Sequence, residues 1–386
     1  MQDAIKDKIA IVGMGCSKFG EIWDKGPEDL IIEAVLEAYQ DAGITDPQKQ
    51  IDAVWTGNQS LIAGAVLTAD TLKLYGKPVS RLENMCASGL DAFRNACFGV
   101  ACGMYDLALV VGFEKLKDMG VSGILPGGGL IGVKGVPVSP PSLFALAGAR
   151  YFKAFGANRE HLARIAVKNH HNGTLSPKAH LQKEITVEQV LNAPMISWPF
   201  GLFDCCATSD GAAAAIITRR ELAKNFRSDY VLVRGLSMAI APNPQYAPGF
   251  DYLRWLPTEL AAKQAYQMAG IGNPAKEIDI AEVHDCFTLT ELLTYEDLGF
   301  CPKGEAKDYI ESGFFTLEGE LPVNMDGGLK CFGHPIGASG VRMIYEVYKQ
   351  LQGKAAARQV KNVEVGLTHS IGGSPQVCGI SILHRA

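Results

Sequence analysis

Cys86 stands in Asn84-Met85-Cys86-Ala87-Ser88-Gly89, a tight turn that opens into an apolar run of helical period. A cysteine at or near a helix N-terminus has free amide donors and the positive end of the macrodipole beside it, which predicts a pKa below the free-thiol value of about 8.5. His334 stands in a second such turn, Gly333-His334-Pro335-Ile336-Gly337-Ala338-Ser339-Gly340. Imidazole is a natural base for a thiol: it takes the proton and, once charged, holds the thiolate as an ion pair. A third segment, Gly372-Gly373-Ser374-Pro375-Gln376-Val377-Cys378-Gly379, places a cysteine between glycine-rich sequence and the apolar strand Ile380–Leu383. Gly379 leaves room there for backbone to approach a ligand. The fourth, Val283-His284-Asp285-Cys286-Phe287, is a strand ending in polar residues, the end at which α/β sheets build their sites. Each motif alone also has a plainer reading, since an isolated cysteine is more often a small core residue and a histidine in a glycine loop more often a packed one.

The elements that must position these residues follow an α/β rhythm. Apolar runs at Ile9–Val12, Leu107–Val111, Ala212–Thr218 and Val231–Val233 alternate with helix-period segments at Leu30–Ala42, Leu90–Met104, Leu260–Ala269 and Val341–Leu351. Strands that are apolar at successive positions imply sheets covered on both faces. An internal repeat sharpens this. Ala38-Tyr39-Gln40-Asp41-Ala42-Gly43-Ile44 is echoed 227 residues later by Ala265-Tyr266-Gln267-Met268-Ala269-Gly270-Ile271, and Pro47, Ile51 and Asp52 meet Pro274, Ile278 and Asp279 at the same offset. Cys86-Ala87-Ser88-Gly89 and Gly337-Ala338-Ser339-Gly340 form a second echo, each opening a helix. We therefore expect two duplicated halves, residues 1–120 continuing at 200–228 and residues 229–386, with a loop or lid insertion at 121–199. The Gly- and Pro-rich stretch around 120–142, including the glycines at 127–129, is the expected substrate-binding loop.

Composition excludes several classes. The 386 residues are 47% hydrophobic, enough for a large core, and a net charge of −5 offers no field for a nucleic-acid backbone. No apolar run reaches the roughly 18 residues that a membrane span needs. The ten cysteines sit singly, without a secretory signal, as expected of a reducing cytoplasm. Adjacent Cys205 and Cys206, and Cys97 and Cys102 five apart, lack zinc-knuckle spacing, so no metal is expected.

The order and spacing of the four motifs resemble the thiolase superfamily across nearly the whole chain, and Asp204-Cys205-Cys206-Ala207-Thr208-Ser209-Asp210-Gly211 resembles its segment at the end of the first half. The resemblance implies the five-layered αβαβα thiolase fold. It also implies Cys86 as acylated nucleophile, His334 as its base, and Cys378 as the acid/base that exchanges a proton with the α-carbon of a second acyl-CoA. His334 and the His284 region would hold the enolate oxygen, and the backbone amides of Cys86 and Gly379 the acyl tetrahedral intermediate. His284-Asp285-Cys286-Phe287 stands where ordinary thiolases carry Asn-Glu-Ala-Phe, which resembles the sterol-carrier-protein type and its archaeal and bacterial relatives. That subgroup implies acyl-CoA and CoA as substrate and product with no permanently bound cofactor, self-association as a homodimer or tetramer, and in many relatives a small zinc-ribbon/OB-fold partner protein. Acetoacetyl-CoA is the default substrate, with a bulkier aromatic or branched 3-oxoacyl-CoA such as benzoylsuccinyl-CoA as the alternative. A ketoacyl synthase, an aldolase-like relative and a non-catalytic acyl-CoA-binding scaffold are the competing readings. No phosphate-cradling motif marks the CoA site.

Overall fold

The computed structural model describes residues 5–119, 139–242, 247 and 249–386. The expected loop at 120–142, with its glycines at 127–129, therefore lies almost wholly outside the described residues.

The first half begins with β1 (Ile9–Cys16), whose eight residues are all buried, and α1 (Pro27–Ala42). Pro27 opens α1 and Gly43 closes it in the left-handed region at φ 71°, while Leu30, Ile31, Ala34, Val35 and Ala38 face the sheet. After β2 (Ala53–Gly57) and β3 (Val79–Leu82) come α2 (Ser88–Ala101) and β4 (Leu107–Glu114). The described residues before the next long strand include α3 (Pro140–Phe155), α4 (Arg159–Thr174) and the short hairpin β5 (Met195–Ser197) and β6 (Phe200–Gly201). β7 (Gly211–Arg219) closes the first sheet.

The second half repeats the plan. β8 (Val231–Ile240) is followed by α5 (Leu256–Ala269), which ends at Gly270 with φ 79° just as α1 ends at Gly43. β9 (Ile280–Val283), α6 (Thr288–Asp297), α7 (Ile336–Leu351), β10 (Val365–Gly372) and β11 (Val377–Arg385) follow, with shorter helices between them.

Nine strands form one sheet in the order β3-β2-β4-β7-β1-β8-β11-β10-β9. Read outward from the β1/β8 seam, the orders β1-β7-β4-β2 and β8-β11-β10-β9 are equivalent, with the outer pairs parallel and the rest antiparallel. The duplication seen in the sequence is thus a two-fold plan in space. α1 covers β1 and β7 on one outside, α5 covers β8 and β11 on the other, and α2 and α7 lie between the two half-sheets. These are the five layers. All but one of the sixteen residues of α7 are buried, so its Val341, Ile344, Val347 and Leu351 each contribute roughly 1.5–3 kcal/mol by leaving water. The N-termini of α2 and α7 cross so closely that a Cβ on Gly89 would lie 2.4 Å from the Gly337 carbonyl, and one on Gly340 2.6 Å from the Leu90 amide. Only glycine permits that approach, which brings the Cys86 and His334 turns together. Among the described residues no helix is long and apolar enough to cross a membrane.

Candidate active site

Cys86 follows β3 and precedes α2, in a turn held by its own neighbours. Ser88 Oγ accepts from the Asn84 amide at 2.9 Å and donates to the Met85 carbonyl at 2.5 Å, while Asn84 Nδ2 donates to Asp91 on α2 at 2.6 Å. Met85 takes the left-handed region at φ 52°, and Ser370 on β10 donates to the Cys86 carbonyl at 2.9 Å. The half-buried Cys86 sulfur lies near the backbone of Gly373, whose amide favours the thiolate.

His334 sits one residue before the Pro335 cap of α7. Its Nδ1 lies 2.8 Å from Ser339 Oγ, and that hydroxyl donates its one proton to the Pro335 carbonyl at 3.0 Å. Ser339 must then accept from His334, which fixes the proton on Nδ1 and leaves the buried, unpartnered Nε2 with a free lone pair. The turn is anchored from below, because Arg342 on α7 is fully buried against Glu282 of β9 and Asp326, each at 2.6 Å.

His284 lies just past the end of β9, where its backbone amide donates to His369 Nδ1 at 3.3 Å instead of continuing the ladder. The next residue, Asp285, accepts from the amides of Leu329 at 2.6 Å and Lys330 at 3.2 Å and from Asn169 at 2.9 Å. Those bonds pin the turn. Cys286 then points its sulfur toward Thr290 Oγ1 at 3.5 Å, and its carbonyl accepts from the Cys206 amide at 2.9 Å.

These turns converge. One donor atom from each of Cys86, His284 and His334 lies within 4.8 Å of the other two, and the two imidazoles meet edge to face at 5.3 Å. They border a cavity of about 30 Å³, with Cys286, Gly373 and Gln59 beside them and Met85, Pro140, Phe144 and Phe287 forming the apolar wall. Burial keeps every member neutral. It pushes the Cys86 thiol up to about 12 against the lowering pull of the Gly373 amide, so the thiolate expected from the helix N-terminus is not the resting form. It pushes His334 down to about 3, with the Arg342 guanidinium adding to the effect, and holds His284 well below the ordinary histidine range. The resting pair is a thiol facing a bare imidazole nitrogen.

Two expected members lie elsewhere. Cys378 is fully buried and absent from the cavity wall; it pairs with Ala239 on β8 and belongs to the core beneath α5, near Thr258. The reason is strand parity. Side chains of β11 alternate, and the Gly379 position faces Leu90 and Met238 on the inner side, so Cys378 faces the outer helix. Gly379 itself is mid-strand, paired with Ser370 on β10 and Met238 on β8, where amides belong to the ladder. The backbone that borders the cavity beside Cys86 is instead that of Gly373, at the β10–β11 turn with φ 73°. Cys286 was not singled out from the sequence, although it stands two residues after His284, in a turn where the parity of the strand no longer applies.

Comparison with known proteins fits this geometry. Residues 9–193 match the family model described as thiolase, N-terminal domain, and residues 250–385 that of the thiolase C-terminal domain-like family. The acetyl-CoA acetyltransferase of Methanothermobacter thermautotrophicus is 38% identical over 387 residues, covering 98% of this chain and 99% of the relative. The chain belongs to the thiolase family. Within it, a second similar relative is the benzoylsuccinyl-CoA thiolase subunit BbsB of Thauera aromatica, 32% identical over 376 residues and 96% of each chain. Among solved structures, the Ltp2-ChsH2(DUF35) aldolase superposes with a TM-score of 0.86 at 26% identity, covering 99% of each chain. Several sterol carrier protein 2 sequences also align at 30–31% identity over about 95% of this thiolase, of the sterol-carrier type.

Proposed function

We propose that this thiolase carries an acyl group on Cys86 while His334, His284 and Cys286 manage the protons and the developing charge, acting on a 3-oxoacyl-CoA with acetoacetyl-CoA foremost. The observation that carries the reading is the Cys86 sulfur sharing one cavity with two neutral imidazoles, the Gly373 backbone and a second sulfur, Cys286.

In the synthetic direction the Cys86 sulfur attacks the thioester carbonyl of acyl-CoA as His334 Nε2 takes its proton. The amides of Cys86 and Gly373 hold the oxyanion, and CoA leaves with the proton from His334. For the second half-reaction Cys286 passes its proton to His334, and the resulting thiolate removes the α-proton of a second acyl-CoA. His284 and protonated His334 hold the enolate oxygen. The enolate carbon attacks the acyl-enzyme, Cys86 leaves as thiolate, and His334 returns the proton to it. Both sulfurs and both imidazoles end as they began. Cys286 takes the acid/base role that the resemblance had assigned to Cys378.

The substrate reading draws on the acetyl-CoA acetyltransferase relatives, and BbsB keeps an aromatic 3-oxoacyl-CoA as the alternative. The aldolase neighbour supports a second reaction class, retro-aldol cleavage of a hydroxyacyl-CoA, which needs no acyl-enzyme. Cys86, His284 and His334 would also suit a metal ion by spacing, so activity through exhaustive chelation is part of the test. We read the halves as 1–120 with 200–228, and 229–386, joined through 121–199, in a cytoplasmic homodimer or tetramer. A zinc-ribbon/OB-fold partner is supported by the two-component name of the Ltp2-ChsH2(DUF35) structure. Acid quenching during turnover of acetoacetyl-CoA with CoA, then peptide mass spectrometry, should find acetyl on Cys86. Cleavage of substrate with Cys86 never modified would end the reading.

A further inference from the structure

Phe144 lies one helical turn beyond Pro140 on α3, and both side chains reach the cavity that holds Cys86. Its ring is 4% exposed and wedged between Trp255, at 5.5 Å, and Phe287, at 5.0 Å. We propose that Phe144 sets the acyl-chain length this enzyme accepts, closing the cavity around a two-carbon acyl group on Cys86. This rests on the acyl-enzyme reading above.

The argument starts from room. The cavity is small, about 30 Å³, and its described wall leaves room beside Cys86 for a short acyl group such as acetyl. Each further methylene must displace wall, and a close-packed wall resists even one.

The walls differ in what displacing them would disturb. Phe287 follows Cys286 directly, and its ring stacks on Phe200 at 5.2 Å with the planes 2° apart, so moving it moves the second sulfur. Met85 precedes Cys86 in a left-handed conformation and is part of the turn that aims the nucleophile. Pro140 is the first residue of α3 and has a rigid ring. Phe144 alone of the four apolar wall residues contributes only a ring, on a helix interior, with neither sequence neighbour among the residues of the turns. It is the residue whose size changes the cavity while the chemistry stays in place. Discrimination of about 10–200-fold per methylene is the usual yield of such an apolar wall.

The test is kcat/KM for C4, C6 and C8 3-oxoacyl-CoAs and for an aromatic 3-oxoacyl-CoA, on the wild type and on Phe144→Ala, Phe144→Leu and Phe144→Trp, with acid-quenched mass spectrometry of Cys86 in parallel. We expect the wild type to favour C4 over C8 by about 100-fold or more. Phe144→Ala should shrink that ratio at least tenfold, Phe144→Leu, the milder change should the alanine variant not fold, by less, and Phe144→Trp should weaken even C4. A wild type that cleaves the aromatic or C8 substrate as readily as C4 overturns the proposal, as does a folded Phe144→Ala or Phe144→Leu with an unchanged chain-length profile. In those outcomes acyl-Cys86 still accumulates and the thiolase chemistry stands. Turnover with no adduct on Cys86 from any substrate removes both.

Discussion

Cys286 and Cys378 belong to the same half of the molecule, and each has a histidine close by, yet they serve different faces of it. Cys286 lines the cavity with His284 and His334. Cys378 lies beneath α5 near Thr258, whose Oγ1 is 3.0 Å from His369 Nε2. Burial raises both thiols well above their ordinary value. Local chemistry therefore does not separate them; access does. On the proposed mechanism a sulfur that shares a cavity with Cys86 can exchange a proton with substrate, whereas one sealed between a strand and a helix packs. The histidines divide in the same way, since both nitrogens of His369 are occupied while His334 Nε2 and His284 Nδ1 lack partners.

That contrast can be broken experimentally. Cys286→Ser should lower thiolysis and condensation by about 10²–10⁴-fold while acetyl-CoA still acylates Cys86, because only the second half-reaction needs the second sulfur. Equal loss of both half-reactions would return Cys286 to a packing role. Next in size is a pH effect. With the Cys86 thiol near 12, its thiolate fraction grows about tenfold per pH unit across pH 7 to 10, and alkylation of Cys86 by a haloacetamide should climb with that slope. A rate already flat at pH 7 would mean a preformed ion pair with His334. Thr258→Val removes the hydroxyl that orients His369 and, through it, the His284 amide, so kcat should drop about fivefold to tenfold with KM little changed. Smallest is Cys378→Ala: activity within about twofold of wild type, and a loss of roughly 1–2 kcal/mol in denaturant unfolding from the cavity left under α5. A hundredfold loss of activity in that variant would restore Cys378 to the mechanism.

The same contrast marks what the sequence could tell. Layers and duplication were legible because they rest on signals carried by many residues: unbroken apolar strands, two helices with identical glycine stops, and one constant offset. Cys86, His284 and His334 were legible because each sits at a loop-to-helix turn or a strand end, where few other roles fit. Choosing between Cys286 and Cys378 was a different problem. Alternation along β11 divides its side chains into two faces but does not say which face carries the cavity, and that depends on α2 and α7 lying inside while α5 lies outside. The Cys86 thiol differed for a related reason. Counting amide donors at a helix start predicts a thiolate, but how much protein closes over the sulfur decides the sign, and that is a tertiary quantity.

The seam between β1 and β8 is short, with Ile9–Ile11 facing Val231–Val233. Cys86 lies on one side of it in the chain, and His284, Cys286, His334 and Gly373 on the other. Cleavage of the backbone between β7 and β8 would yield two fragments, one holding Cys86 and the other the two histidines and Cys286, and on the proposed mechanism neither would be competent by itself. Turnover by such a split enzyme would be second order in fragments at low concentration and would saturate as they reassociate.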